Sequence, residues 1–142
     1  MEYKVECSNR KLKRFVEAVL PSMMEQLGLT RSRAAVLIKV TDDVAEGCEG
    51  SVLQINEADC SLLLIRPPKR ITDKTIASFS VALAHEMVHV KQYAKGQMVS
   101  KGSNKCQWMG RVYNMKKTPY LDMPWEVEAF SRQELVARRA LV

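Results

Sequence analysis

The chain has 142 residues, enough for one domain with a single hydrophobic core and too few for two ordinary domains. Hydrophobic residues make up 46% of it, charged residues 27%, and the net charge is +6, which is typical of a soluble globular protein with acidic partners. No apolar run is long enough to cross a bilayer, and the first six residues carry charges where a secretory signal would be apolar. We therefore predict one domain over residues 1–142, located in the cytoplasm and without a membrane partner.

The first half of the chain predicts a helix followed by a small sheet. Ser8 is a candidate N-cap for a helix whose apolar residues recur at helical spacing, which Pro21 should break or kink and Gly28 should end. Three β-rich segments, separated by turn-forming residues, follow at 36–40, 51–55 and 61–65. The short links between these segments predict a sheet of three or four strands, mainly antiparallel.

The second half predicts two more helices around an irregular stretch. Thr72 and Asp73 cap a long helix that Gly96 ends. The stretch 97–120 is irregular, with one strand predicted at 108–113, and the last helix runs from Pro124 to about residue 139. The predicted fold class is α+β, with the N-terminal helix and the sheet backing the long helix, and the last helix crossing beneath it.

The long helix carries the only two histidines of the chain, His85 and His89, with Glu86 directly after the first. A spacing of four residues puts both imidazoles on one helix face, one turn apart. Two neutral imidazoles at that separation can bind one zinc ion, and Glu86 can take a proton from zinc-bound water. The alternative interpretation is a partly buried histidine pair whose nitrogens bond to backbone or water.

A catalytic zinc site needs a third protein ligand and an open position. No third histidine exists, so this ligand is a carboxylate or a thiolate. Glu126 and Glu128, at the start of the last helix, are the two candidates. Without the histidines, both acids would be interpreted as complementing a helix N-terminus.

These residues resemble the gluzincin class of zinc metallopeptidases, in which H-E-x-x-H is completed by a glutamate on a later helix, with a small residue three positions further on. Glu126 followed by Ala129 fits that spacing. The segments AHEMVHVKQY (84–93) and PWEVEA (124–129) look like those of small proteins of phage and bacterial genomes that are interpreted as metallopeptidases. The resemblance covers residues 71–135 and implies a minimal zincin-like domain that binds Zn²⁺ through His85, His89 and Glu126.

One position departs from the pattern. Related enzymes often carry an acid or amide directly after the small residue, where it orients a histidine ligand, and this chain has Phe130 there. Either Glu128 is the third ligand, or the orienting group comes from elsewhere, for which Asp122 is a candidate.

The expected reaction is hydrolysis of a peptide bond in a protein or peptide substrate. Zinc lowers the pKa of its bound water, and Glu86 accepts the proton as general base and returns it to the leaving amine. Candidate stabilisers of the oxyanion are Tyr113, Arg111 and Tyr120. The substrate is expected to lie extended along an exposed strand edge.

Two other functions remain open. One is a non-catalytic, zinc-containing interaction or regulatory protein, which could be phage-encoded and so act in the host cytoplasm, although such a site would not require Glu86. The other is a nucleic-acid-associated protein, a weaker possibility because no interleaved aromatics accompany the basic clusters at 10–14, 31–33, 116–117 and 138–139. The four scattered cysteines predict reduced thiols rather than a second zinc site: Cys7, Cys48, Cys60 and Cys106.

Overall fold

A computed structural model describes residues 1–56 and 59–141. Within these ranges the chain forms three helices and seven strands, arranged in two sheets, so the predicted α+β class is confirmed. The elements in chain order are β1 (Glu2–Glu6), α1 (Arg10–Gln26), β2 (Ala35–Val40), β3 (Gly50–Asn56), β4 (Cys60–Ile65), α2 (Asp73–Ala94), β5 (Met98–Ser100), β6 (Lys105–Trp108), β7 (Arg111–Asn114) and α3 (Pro124–Ala140).

The larger sheet has the strand order β1-β2-β4-β3. Strands β1, β2 and β4 run parallel, and β3 pairs antiparallel with β4 at the edge. Alternate residues of β2 and β4 are buried, so one face of the sheet packs on the core. Two of the three pairings in this sheet are parallel, which the short links between its segments did not predict, and over both sheets three of the five pairings between described strands are antiparallel.

Strand β1 was not predicted. Four of its five residues are exposed and only Val5 is buried, so its hydrophobic pattern carries almost no strand signal. It forms because α1 returns the chain to the same sheet, where β2 supplies a parallel partner over the whole length of β1.

Helix α1 differs from the prediction at its N-cap and at Pro21, while it ends at Gln26, just before Gly28, as predicted. Its N-cap is Asn9, whose Oδ1 accepts a hydrogen bond from the backbone N–H of Leu12 at 3.0 Å, rather than Ser8. Pro21 lies inside a continuous helix. Proline removes one hydrogen bond there, but Pro21 is exposed and the buried residues on either side of it, Leu20 and Met23, keep the helix packed on the core.

The smaller sheet is an antiparallel arrangement of β5, β6 and β7. The single strand predicted at 108–113 is wrong, because a turn divides that segment into β6 and β7. Met109 and Gly110 both have positive φ, at 50° and 87°, as a tight two-residue hairpin requires. Methionine seldom adopts such a conformation, so the sequence gives little sign of this turn.

Helix α2 packs against α3 and also against β3 and β4. The side chain of Thr72 caps it together with Thr75, as predicted from the sequence, and the helix ends at Ala94, just before Gly96. Its middle section, from Leu83 to Gln92, is buried throughout. No helix in the described ranges is long and apolar enough to span a membrane.

Candidate metal centre and active site

Helices α2 and α3 bring His85, His89 and Glu126 together. The Oε1 atom of Glu126 lies 3.0 Å from the Nε2 atom of His85 and 3.0 Å from the Nε2 atom of His89. All three side chains are buried, and their three ligand atoms lie within 4.8 Å of one another. Among residues 1–56 and 59–141, these three form the one group of histidine, cysteine and acid side chains with metal-site geometry.

The donor set fits a zinc ion. Zinc prefers nitrogen and oxygen donors at about 2.0–2.2 Å in tetrahedral geometry, which separates neighbouring donors by roughly 3.3 Å. The observed separations of 3.0 Å are within a few tenths of an ångström of this value. Two imidazoles and one carboxylate also leave the fourth position for water or substrate.

Each histidine forms a hydrogen bond to a glutamine through Nδ1, the ring nitrogen that faces away from Glu126. The Nδ1 atom of His85 lies 2.8 Å from Oε1 of Gln133, and the Nδ1 atom of His89 lies 2.8 Å from Oε1 of Gln92. An amide oxygen only accepts, so each Nδ1 carries the proton and donates it. In the neutral imidazole the lone pair is then on Nε2, the atom that faces Glu126.

The orientation of the Gln92 side chain is fixed by the hydrogen bonds of its amide nitrogen. Its Nε2 atom donates to the backbone carbonyl of Trp125 and to Glu128, both at 2.9 Å. Glu128 also pairs with the buried Lys91 and with Arg132. Glu128 therefore contacts Gln92, the partner of His89, and does not face the two Nε2 atoms as Glu126 does. The geometry favours Glu126 as the third ligand.

Three electron-rich atoms of this cluster face one another, Nε2 of His85, Nε2 of His89 and Oε1 of Glu126, and they repel each other unless a cation lies between them. With both Nδ1 atoms protonated, two lone pairs and a carboxylate oxygen converge at about 3 Å. Burial would raise the pKa of Glu126, but hydrogen bonds from the imidazoles of His85 and His89, when these carry a second proton on Nε2, lower it to about 2. Burial would lower the pKa of His89, but Glu126 raises it above 6.5. A proton on His89 or a metal ion can supply the missing positive charge.

Phe130, at the position where an acid or amide was expected, packs against His85 instead. The two ring centroids are 4.6 Å apart in an edge-on arrangement. The polar partner of His85 is supplied by Gln133, almost one helical turn further along α3. Asp122 is exposed, and no hydrogen bond joins it to either histidine within the described residues.

Glu86 lies beside the cluster of His85, His89 and Glu126, with a carboxylate oxygen that has no partner in the described part of the chain. The side chain is buried, and among the described residues its Oε2 atom accepts no hydrogen bond. Burial raises the pKa of Glu86 above 4.5, although the nearby imidazoles of His89 and His85 lower it. A buried carboxylate that lacks a structural partner is a candidate functional group.

Gly50, the first residue of β3, lets the strand approach this acid. A Cβ atom at Gly50 would lie 3.0 Å from Cγ of Glu86 and 2.8 Å from the carbonyl oxygen of Leu64. Any larger residue would displace the strand or the carboxylate.

Two clefts meet at Glu86, and Cys48, Gly50 and Tyr120 line both of them. The hairpin cleft, about 400 Å³, lies between β3 and the smaller sheet and includes His89, Trp125 and Glu126. The helix cleft, about 520 Å³, lies along α2 and includes His85, Phe130 and Gln133. Both volumes are in the range of small-molecule and peptide sites.

Tyr120 is the one of the three predicted oxyanion stabilisers that lines the clefts. Burial and the charge of Glu126 raise the pKa of Tyr120, so its phenol stays protonated at neutral pH and can donate a hydrogen bond. Tyr113 packs edge-on against Trp125 at 5.7 Å, and the guanidinium of Arg111 lies 5.1 Å from the Tyr113 ring. Tyr113 and Arg111 therefore have packing roles in the smaller sheet.

The sequence interpretation did not include Gln92, Gln133 or Gly50. Gln92 follows His89 by three residues and Gln133 follows Glu126 by seven, so helical spacing places each on the same face as its ligand. That periodicity could have identified Gln92, which bonds a histidine of its own helix, but not the pairing of Gln133 with His85 on another helix. Gly50 carries no such signal, since its role depends on how closely β3 approaches α2.

In comparisons with known proteins, no family model, curated protein or solved structure matches this chain.

Proposed function

We propose that this protein is a zinc-dependent metallopeptidase that hydrolyses peptide bonds in a protein or peptide substrate. The observation that carries the proposal is the buried carboxylate of Glu86, whose Oε2 atom has no hydrogen-bond partner among the described residues, next to three converging zinc-type donors. The resemblance of H-E-x-x-H and the later glutamate to the gluzincin class supports the same conclusion.

In the proposed site, His85, His89 and Glu126 hold the metal, while Gln92 and Gln133 keep both imidazoles in the correct tautomer. Zinc in this position would supply a Lewis acid that makes water nucleophilic near neutral pH. Glu86 accepts the proton of the attacking water and returns it to the leaving amine.

Tyr120 is proposed to donate a hydrogen bond to the developing oxyanion. Its protonated phenol lines both clefts, next to Glu86.

The test is the proteolytic activity of Glu86→Gln. The amide keeps the shape of the side chain but cannot accept the proton, so cleavage of a denatured protein mixture should fall by about a hundredfold or more, with zinc content unchanged. Glu134→Gln is the matched control, because Glu134 is exposed on α3.

Wild type and Glu134→Gln should cleave equally, and a chelator should abolish both activities. Equal cleavage by Glu86→Gln and wild type would exclude Glu86 as the base. The absence of cleavage in all zinc-loaded forms would favour the second candidate, a non-catalytic zinc-containing protein. The cluster also fits that alternative, because a metal bound by residues of α2 and α3 would join the two helices and so have a structural role.

We also propose that the protein acts in the cytoplasm, which would be the host cytoplasm if a phage encodes it. All four cysteines are free thiols, as expected in a reducing compartment.

A further inference from the structure

A third concave surface, the basic groove, continues from the helix cleft toward the N-terminus of α2. It has a volume of about 560 Å³, and its lining includes Arg66, Lys69, Arg70 and Lys74. It shares Glu49, Ser78 and Ala82 with the helix cleft, which reaches His85 and Glu86. A single path therefore leads from these cations to the proposed catalytic residues.

The floor of this path is one face of α2. Lys74, Ser78, Ala82 and His85 follow each other at spacings of three or four residues, so they lie along one side of the helix. The small side chains of Ser78 and Ala82 leave space above the middle of the path. An extended chain can lie there without moving a large side chain.

The charges of the groove are unbalanced. Four cations and one acid, Glu49, line it, which leaves a formal charge of +3. Arg66 forms an ion pair with Asp42 and donates hydrogen bonds to backbone carbonyls, including that of Val44 at 3.0 Å. By contrast, Lys69, Arg70 and Lys74 are exposed, and within the described chain no ion pair reaches them.

We propose that the basic groove binds an acidic segment of the substrate, so that the enzyme selects peptides with Asp or Glu on one side of the cleaved bond. This inference rests on the proposed peptidase function. Lys74, the groove cation nearest to His85 along α2, lies eleven positions before it, which on a helix is roughly 16 Å. An extended peptide advances about 3.3 Å per residue, so the acidic residues lie about five or more positions from the scissile bond.

Binding is tested with zinc-loaded Glu86→Gln protein and fluorescein-labelled oligoglutamate, followed by anisotropy. The triple variant Lys69→Ala, Arg70→Ala, Lys74→Ala should weaken binding roughly tenfold, since each exposed ion pair contributes modestly. The control is Arg10→Ala, Lys11→Ala, Arg14→Ala, which removes the same charge from exposed positions of α1 and should change binding less than about twofold. Equal weakening by both triple variants would overturn the proposal.

Oligolysine and an oligothymidylate of equal length complete the binding test. Oligolysine should not bind in the groove. Tighter binding of oligothymidylate than of oligoglutamate, lost in the groove variant, would assign the groove to nucleic acid and overturn the peptide proposal.

Cleavage-site sequencing separates this proposal from the peptidase function. Zinc-loaded wild type acting on a mixed peptide library should cut sites enriched in Asp and Glu about five or more positions away on one side, and the groove variant should cut without that enrichment. Cleavage without enrichment would overturn the acidic preference and leave the peptidase intact. No cleavage at all would contradict the peptidase, and the binding measurement alone would then decide whether the groove takes acidic peptides.

Discussion

The side chain of Gln92 has two roles, because it accepts a hydrogen bond from His89 and donates hydrogen bonds to Trp125 and Glu128. Gln92→Leu removes the acceptor with little change in volume, so the imidazole loses its fixed tautomer. We expect zinc affinity to fall by about tenfold to a hundredfold, measured by competition with a chromophoric chelator. Gln26→Leu is the control, since Gln26 joins α1 to α3 through the carbonyl of Val136 and should affect stability without changing zinc affinity.

The pKa shifts of the ligands predict opposite pH dependences with and without metal. The pKa of Glu126 is lowered from 4.5 to about 2, so its contribution to stability is present above 4.5 and is lost as the pH falls toward 2. The pKa of His89 is raised, so its contribution is present below 6.5 and is lost as the pH rises through the raised value. Metal-free protein should be most stable between about pH 4.5 and 6.5.

Zinc affinity should instead rise with pH, because binding displaces the proton of His89. The checks are thermal unfolding of chelator-treated protein and zinc titration across pH 5 to 8. A stability maximum of metal-free protein above about pH 7, or zinc affinity that does not change with pH, would contradict the ion-pair description of the cluster.

The sequence identified the residues with strong chemical signatures and missed those defined by contact. His85, Glu86 and His89 were chosen from their spacing and Glu126 from the resemblance to the gluzincin pattern, and the fold brings all four together. Gln133 was missed because its partner, His85, lies 48 residues away on another helix. Such a pair becomes visible only when the crossing of two helices is known.

At the scale of elements, the close approach of β3 to α2 predicts a cost for Gly50→Ala. The new Cβ would contact the carbonyl of Leu64 and the side chain of Glu86. We expect a loss of about 1–3 kcal/mol in the free energy of unfolding and a drop in proteolysis, with zinc affinity retained. Urea unfolding and activity assays check both effects. Ser51→Ala, one residue further along β3, is the control, and equal behaviour of the two variants would exclude a special role for Gly50.

Helices were easier to predict than strands in this chain. The capping residue Thr72 and the apolar spacing of α2 defined that helix correctly, since both signals are local. Strand β1 and the hairpin of β6 and β7 were missed, because the first depends on a distant partner and the second on an unusual backbone at Met109. Parallel pairing likewise depends on the path of α1 between β1 and β2.

At the scale of the whole molecule, the cluster joins α2 and α3, so zinc should stabilise the entire fold. At a free zinc concentration a thousand times the Kd, the gain is about 4 kcal/mol. We expect the melting temperature to rise with zinc concentration and to fall on chelation. A buried hydrophobic core packs α1, α2 and the larger sheet independently of the cluster. Circular dichroism should therefore show that the metal-free protein remains folded, and unfolding on chelation would mean that the metal is needed for folding.

The most direct test of the central claim is the zinc affinity of Glu126→Ala compared with Glu128→Ala. The two acids lie two residues apart on α3, yet Glu126 faces both imidazoles and Glu128 faces Lys91 and Gln92. Wild type should bind about one zinc per chain, His85→Ala and His89→Ala should lose it, and Glu126→Ala should weaken binding far more than Glu128→Ala does. Equal zinc affinity in all four variants would contradict the metal centre, and the reverse order of the two glutamates would contradict Glu126 as its third ligand.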